Sequence, residues 1–241
     1  MTGTTPRGAR SEQEAADWVR SMFGRVARRY DLANHVLSFN LDRYWRGRTV
    51  ASVWDVLARR DARVLDICCG TGDLVRALKR GRPPGASVMG SDFCHPMLVA
   101  AREKVGAPDL FEADALCLPV PDAALDLITV AFGFRNLANY DAGLREMRRV
   151  LRGGGVVAIL EFSQPPNMLF GALYRFYSRY VLPVIGGALS GSRDAYAYLP
   201  ESVRKFPAPE ELALMMRAAG FAAVEFELFT GGIVALHLGR V

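Results

Sequence analysis

The densest chemistry in the chain lies in Val64-Leu-Asp66-Ile-Cys-Cys-Gly70-Thr71-Gly72-Asp73. A short apolar run ends in two glycines one residue apart, and a helix opens behind them. Gly70 and Gly72 let the backbone pass close to a ligand. The helix N-terminus offers free N–H groups to a negative group. A dinucleotide fingerprint would need a third small residue, and Val75 stands there. Without that glycine the helix packs less closely on the loop, which disfavours a pyrophosphate. An amino-acid carboxylate or ammonium fits instead, and Asp66 can hold the ammonium. The plain alternative is an ordinary strand-to-helix turn.

Asp92 follows Gly72 by 20 residues, at the end of a second apolar run. An acid there can bond both hydroxyls of a ribose; its structural alternative is a helix N-cap before Pro96. Asp114-Ala115 follows a third short run, where such folds face an adenine edge, unless it is a surface loop. No one of these signals is decisive. Together they suit a nucleoside that carries an amino acid, and other ligands of such a fold stay open.

These residues need an α/β frame. Arg63–Ile67 reads as a buried parallel strand. A helix over Gly72–Arg80, a strand over Ser87–Asp92, a helix over Pro96–Val105 and a short strand over Leu110–Ala113 follow. Leu125–Ala131 is a further strand, and a helix over Tyr140–Leu151 leads through Gly153-Gly-Gly155 into a strand over Val156–Glu161. Alternation of strand and helix implies an open sheet with helices on both faces. The end differs: a helix over Glu210–Ala219, then strands Ala222–Phe229 and Ile233–Leu238 joined by Gly231-Gly232 as a hairpin. The expected fold class is therefore α/β, a doubly wound, mostly parallel seven-stranded sheet with an antiparallel C-terminal hairpin strand. That is the class I methyltransferase architecture.

Before the sheet, apolar residues from Glu14 to Tyr30 recur at helical steps, and a second helical stretch covers Tyr44–Leu57. Residues 1–13 read as a disordered tail, and 14–241 as a single domain. Within it, 14–60 form an N-terminal helical substrate cover and 164–205 a helical insertion or lid.

Composition excludes more than it selects. Of 241 residues, 51% are hydrophobic, enough for a sizeable core and against disorder. The net charge of +5 fits an anionic membrane surface, RNA or an anionic substrate. The four cysteines, Cys68, Cys69, Cys94 and Cys117, lack zinc-site spacing and read as small core residues. No signal peptide and no membrane span are visible, so a cytoplasmic setting is expected.

Three further stretches give a sharper identity. Tyr30-Asp31-Leu-Ala-Asn34 through Trp45, Phe132-Gly-Phe-Arg135-Asn136, and Arg149 to Gly155 with Glu161-Phe-Ser163 resemble the ubiquinone/menaquinone biosynthesis methyltransferases. Thr230-Gly-Gly-Ile-Val-Ala-Leu-His237 adds to the match, which runs from about Met22 to Leu238. The resemblance implies transfer of a methyl group from S-adenosylmethionine to a ring carbon of a polyprenyl quinol: demethylmenaquinol, 2-methoxy-6-polyprenyl-1,4-benzoquinol, or both. The family's cofactor contacts map onto Thr71, Asp92, Asp114 with Ala115, and Ala131. The last is often serine, so one hydroxyl contact is lost. Ala33, Asp42 and Gly153 replace a usual methionine, histidine and proline, and are expected to lie clear of the reactive centre.

Displacement at a sulfonium methyl releases a neutral thioether, so no metal is expected. The ring carbon becomes nucleophilic when a neighbouring hydroxyl loses its proton. Arg135 can supply a positive charge that favours the phenolate, or act only as a structural ion-pair partner. Asn136 is expected beside the substrate, and Tyr30, Asp31 and His237 are candidate proton acceptors.

The long tail of the substrate turns attention to Leu169, Leu173, Phe176, Tyr177, Tyr180 and Val181, one helical face with Arg175 and Arg179 between. Such a stripe is either core or a mobile cover facing a membrane. Contact with the inner face of the cell membrane and a homodimer are both open. No nucleic-acid partner is expected, since no aromatic-plus-basic platform is visible. Pro165-Pro166 follows the wrong strand for an adenine-methylating motif. A methyltransferase for another lipophilic small molecule is the alternative function. A non-catalytic binding module would not need Tyr30, Asp31, Arg135 and Asn136.

Overall fold

The computed structural model describes residues 3–6, 8–190 and 193–241. Seven strands form one sheet: β1 (Arg63–Ile67), β2 (Ser87–Asp92), β3 (Leu110–Glu112), β4 (Leu125–Ala131), β5 (Leu151–Phe162), β6 (Ala223–Phe229) and β7 (Val234–Arg240). Their order is β3-β2-β1-β4-β5-β7-β6. Strands β1 to β5 run parallel, and β7 is antiparallel to both its neighbours. The reversal follows from the hairpin: a tight turn at Thr230–Gly232 forces β7 back along β6. Gly231 and Gly232 hold φ of 65° and 92° there, where a side chain would be strained.

Strand order reverses between β1 and β4, which opens a crevice at their carboxyl ends. Alternate residues build the two sides of the core. Val64 and Leu127 pack with Leu74 and Leu78 of helix α5 (Asp73–Gly81) on one face. Leu65 and Ile128 pack with Leu144 and Met147 of helix α7 (Tyr140–Val150) on the other. Burial on both faces explains why these strands are mostly apolar rather than alternating, with Asp66, Asp126 and Thr129 as buried exceptions.

The expected link Gly153–Gly155 lies inside β5 instead. Pairing steps from Leu125↔Leu151 to Leu127↔Val156, so the glycines bulge out of the ladder, and Gly154 adopts φ 76°.

The N-terminal third also departs from the expected two helices. Helix α1 (Glu12–Val26) is capped by Ser11, whose Oγ accepts the Glu14 N–H at 3.1 Å. A second helix, α2 (Tyr30–Leu37), follows, then α3 (Leu41–Ser52) and α4 (Trp54–Leu57). Periodicity missed α2 because its apolar residues are divided: Ala33 and Leu37 are buried, while Leu32 and Val36 are exposed. Phe39 and Asn40, both left-handed, turn the chain into α3.

The described part of the expected disordered tail is held in place. The Thr4 N–H donates to Leu137 O at 2.8 Å, and its hydroxyl meets the Tyr198 hydroxyl at 2.6 Å.

Residues 164–205 carry helices α8 (Met168–Phe176), α9 (Leu182–Ser190) and α10 (Arg193–Lys205), with a π-turn at Tyr177–Val181. Ala33 and Leu37 of α2 pack on Leu182 and Tyr196, and Val19 and Met22 of α1 on Tyr198. The two helical groups thus close over the sheet together. No helix among the described residues is long and apolar enough to cross a membrane. A later helix, α11 (Pro209–Ala218), precedes β6, and α6 (His95–Val105) follows β2.

Candidate active site

The turn after β1 is built from left-handed backbone: Cys68, Gly70 and Gly72 have φ of 51°, 54° and 82°. It touches the turn after β4. A Cβ on Gly133 would lie 2.5 Å from Cys68 Cβ, so only glycine fits. Phe132, φ 60°, is the other strained residue of this contact.

These turns wall a cleft lined by Asp66, Gly70, Thr71, Asp92, Asp114, Ala115 and Ala131, seven of the eight residues expected around the cofactor. Gly72 is not part of the wall. It sits at the start of α5, where Ala101 and Val105 of α6 approach its missing Cβ to 3.3 Å.

Asp92 accepts the backbone N–H groups of Gly70 at 2.8 Å and Cys94 at 2.9 Å. Burial nevertheless pushes its carboxyl up to about 6. Asp66 accepts the Thr129 hydroxyl at 2.6 Å, and burial pushes it up to about 7. Both acids are thus poised to gain from a partner that favours the charged form. Asp114 caps its own turn through Leu116 N at 2.9 Å.

A second cavity of about 430 Å³ lies between the helical cover and the sheet end. Its walls are mostly apolar and aromatic, with Asn34, Ser38, Asp42, Arg46 and Arg135 as non-aromatic polar exceptions. Phe23, Tyr30, Arg46 and Phe132 border both the cleft and this cavity. The two spaces therefore meet at Tyr30 and Phe132.

Arg135 is buried on the cavity wall. Its Nη1 donates to Glu161 Oε2 at 3.0 Å and to Phe132 O at 2.5 Å, and the guanidinium lies over the Phe162 ring at 5.4 Å. Its Nε–H has no acceptor among the described residues. Burial pushes the Tyr30 hydroxyl up, against the pull of Arg135 and a hydrogen bond with Asn34. Asn136 lines the cleft and accepts the Tyr198 hydroxyl at 3.0 Å.

Two expected residues stand apart. Asp31 lines neither cavity; it pairs with Lys104 and accepts the Thr71 hydroxyl. His237 is on the far face of β7, because strand alternation directs it away from the side that bears Leu236. There its Nε2 meets Pro209 O at 2.9 Å and its ring lies on Phe226. Burial lowers its pKa, and it borders neither cavity. It is withdrawn as a proton acceptor.

Three further residues were missed. Glu161 lies in the quoted Glu-Phe-Ser stretch yet carried no assigned role. Arg46 follows Trp45, where the quoted stretch stopped. Asp42, expected clear of the reactive centre, lines the large cavity and accepts Arg46 Nη1 at 2.5 Å. Asp42, His35 and Asp73 also cluster within 4.8 Å, a grouping able to ligate a cation. Arg46 and Lys104 already balance it by ion pairs to Asp42 and Asp73.

The expected stripe from Leu169 to Val181, over α8 and the π-turn, splits. Leu173 and Tyr177 line the large cavity, whereas Leu169, Phe176 and Tyr180 face outward. The π-turn inserts an extra residue into the helical repeat and rotates the face. Its exposed residues do not pack as core.

A buried acid pair, a glycine turn that admits a ligand closely and a small residue at the β4 end suit a nucleoside bearing an amino acid. Ribose hydroxyls fit Asp92, and an ammonium fits Asp66. With this sheet order the site defines a class I S-adenosylmethionine-dependent methyltransferase. The fold is shared with such an enzyme from Thermotoga maritima, at TM-score 0.63 and 20% identity, covering 91% of this chain and 98% of that one. Another, from Aquifex aeolicus, gives 0.56 at 18% identity, covering 79% and 88%.

The chain belongs to the ubiE/COQ5 methyltransferase family, whose profile matches residues 9–240. A demethylmenaquinone methyltransferase of Thermus thermophilus is 52% identical over 90% of this chain and 99% of its own length. One from Deinococcus radiodurans is 47% identical over 99% of each.

Proposed function

We propose that this enzyme transfers a methyl group from S-adenosylmethionine to a ring carbon of demethylmenaquinol, giving menaquinol. The single observation that carries the reading is the meeting of a polar, acid-lined cleft with a large apolar cavity at Tyr30 and Phe132. The relatives' names favour the naphthoquinol over the benzoquinol.

Bound S-adenosylmethionine supplies an electrophilic methyl group on a sulfonium. The chain must hold the ring carbon in line with it, at about 3 to 3.5 Å. Aromatic walls orient the flat ring and exclude water. Arg135, fixed by Glu161, offers its free Nε–H edge to the quinol oxygen as negative charge grows there. Arginine stays protonated and is no simple base. The hydroxyl proton therefore leaves through Tyr30 or water, and once the methyl has moved from sulfur to carbon the ring carbon gives up its own hydrogen as a proton to water while the oxygen regains one.

The test is incubation with S-adenosylmethionine and either quinol, with the product read by mass spectrometry and proton NMR. A new methyl on a ring carbon of the naphthoquinol is expected. Methylation at oxygen, or preference for the benzoquinol, refutes this assignment of substrate.

The cover also suggests where the tail goes. Phe39 of the α2–α3 turn lies 6.3 Å from Tyr177, both lining the cavity, and Leu32 and Val36 of α2 and Leu169 and Phe176 of α8 are exposed apolar residues on the helices just before them. Met168 and Leu169 are 88% and 83% exposed and line neither the cleft nor this cavity. We read this rim as the part that meets the bilayer holding the quinol tail. Liposome flotation is expected to recover the enzyme, and Met168→Asp with Leu169→Asp to release it. Flotation that is absent, or indifferent to both changes, removes the membrane contact.

A further inference from the structure

We propose that Arg46, on α3 of the helical cover, binds the carboxylate of the methionyl end of S-adenosylmethionine. The inference rests on the cofactor reading above and adds a residue to it. It begins with the charges that wall the cleft. Asp66, Asp73, Asp92 and Asp114 line it, and Arg46 is the sole cation among its described lining residues. The ligand carries an ammonium and a sulfonium, which suit this acidic wall. It also carries a carboxylate, which does not. Asp73, at the first turn of α5, is paired with Lys104, which does not itself line the cleft.

Arg46 is placed and free to answer it. Its Nη1 is held by Asp42 at 2.5 Å, and its guanidinium lies over the Phe132 ring at 5.5 Å. Asp42 is its only acceptor among the described residues. A guanidinium has five N–H donors in a planar fork, so most of the fork remains for a ligand. Such a fork matches a carboxylate in two parallel hydrogen bonds. Asp42 thus fixes the arginine without saturating it.

The geometry has a consequence for the order of events. Arg46 and Asp42 both wall the large cavity. A carboxylate on Arg46 would tether α3, and so one wall of the quinol cavity, to the bound cofactor. Binding of the two substrates would then be coupled.

Decarboxylated S-adenosylmethionine isolates the contact, because it keeps the adenosine, the sulfonium and the ammonium and lacks only the carboxylate. Calorimetry should show the wild-type chain binding S-adenosylmethionine roughly 10- to 100-fold more tightly than the decarboxylated form. Arg46→Met should erase that preference by weakening S-adenosylmethionine alone, and Arg46→Lys should keep part of it. Equal affinities in the wild-type chain overturn the proposal without any mutation. Equal weakening of both ligands by Arg46→Met also overturns it, since Arg46 would then only shape the cleft. A wild-type chain that binds neither ligand removes the cofactor reading, and this proposal with it.

Discussion

Asp92→Ala is expected to weaken S-adenosylmethionine binding by roughly two to four orders of magnitude. Two charge-assisted hydrogen bonds to ribose are lost, each worth about 1.5 to 3 kcal/mol. The structure adds a second cause. Asp92 also receives the N–H groups of Gly70 and Cys94, so alanine releases the glycine turn along with the ribose. Asp92→Asn keeps one acceptor and should fall between.

The same carboxyl makes binding depend on pH, and the sign follows from burial. Asp92 and Asp66 are raised to about 6 and about 7 in the free enzyme. Ribose hydroxyls and an ammonium favour the ionised carboxylates. Affinity should therefore climb as pH rises through 6 and 7. Stability of the free enzyme runs the other way. An acid with a raised pKa in the folded state contributes stability that is full below its unfolded value near 4 and is lost as pH rises through the folded value. From these two groups, the ligand-free Tm should fall between about pH 4 and pH 7, while the increment from S-adenosylmethionine grows. Calorimetry and thermal unfolding across that range check both slopes. Binding that ignores both pH and Asp92→Asn would falsify the ribose and ammonium assignments.

The second large effect is expected at the Arg135–Glu161 pair. Arg135→Ala should lower kcat by roughly two to three orders of magnitude, the usual loss when a donor to a developing oxyanion is removed. It should also destabilise the fold by about 3 to 5 kcal/mol, because Glu161 is left buried without its partner. Those two losses have to be separated. Replacing both residues with methionine removes the orphaned charge and keeps most of the volume. That double variant should regain stability and cofactor affinity while turnover stays low. Raising the pH should return part of the turnover, because a quinol hydroxyl ionises near a tyrosine, around pKa 10. A folded double variant with normal turnover would make Arg135 structural. Glu161→Gln gives the converse arm. It should slow turnover with little change in cofactor binding, since Glu161 touches Arg135 and not the cleft.

Much of the cofactor half was written locally. Leu125–Ala131 has the bounds expected of it, because a strand buried on both faces is a mostly apolar run, here interrupted only by the buried Asp126 and Thr129. Asp66 is the last residue but one of β1 and Asp92 the last of β2, and strand ends in a parallel sheet converge on one crevice. Gly231-Gly232 foretold the reversed strand for the same reason: a tight turn is a property of a few adjacent residues.

The substrate half was not local in this sense. Helix α2 has its apolar residues divided between the core and the open rim, so no single stripe marks it. The π-turn at Tyr177 rotated a face that an ideal helical repeat kept whole. Asp31 and His237 have suitable chemistry and sit in quoted stretches, yet one is spent on Lys104 and the other points through the far face of the sheet. Arg46, Asp42 and Glu161 acquire their roles only from partners brought in by packing: the cleft, the cavity and Arg135. The sequence by itself determined the sheet, the turn and the acids, since each depends on near neighbours. Which side chains border both cavities depended on helices separated by more than a hundred residues closing over the same sheet end, and only the tertiary structure decided that.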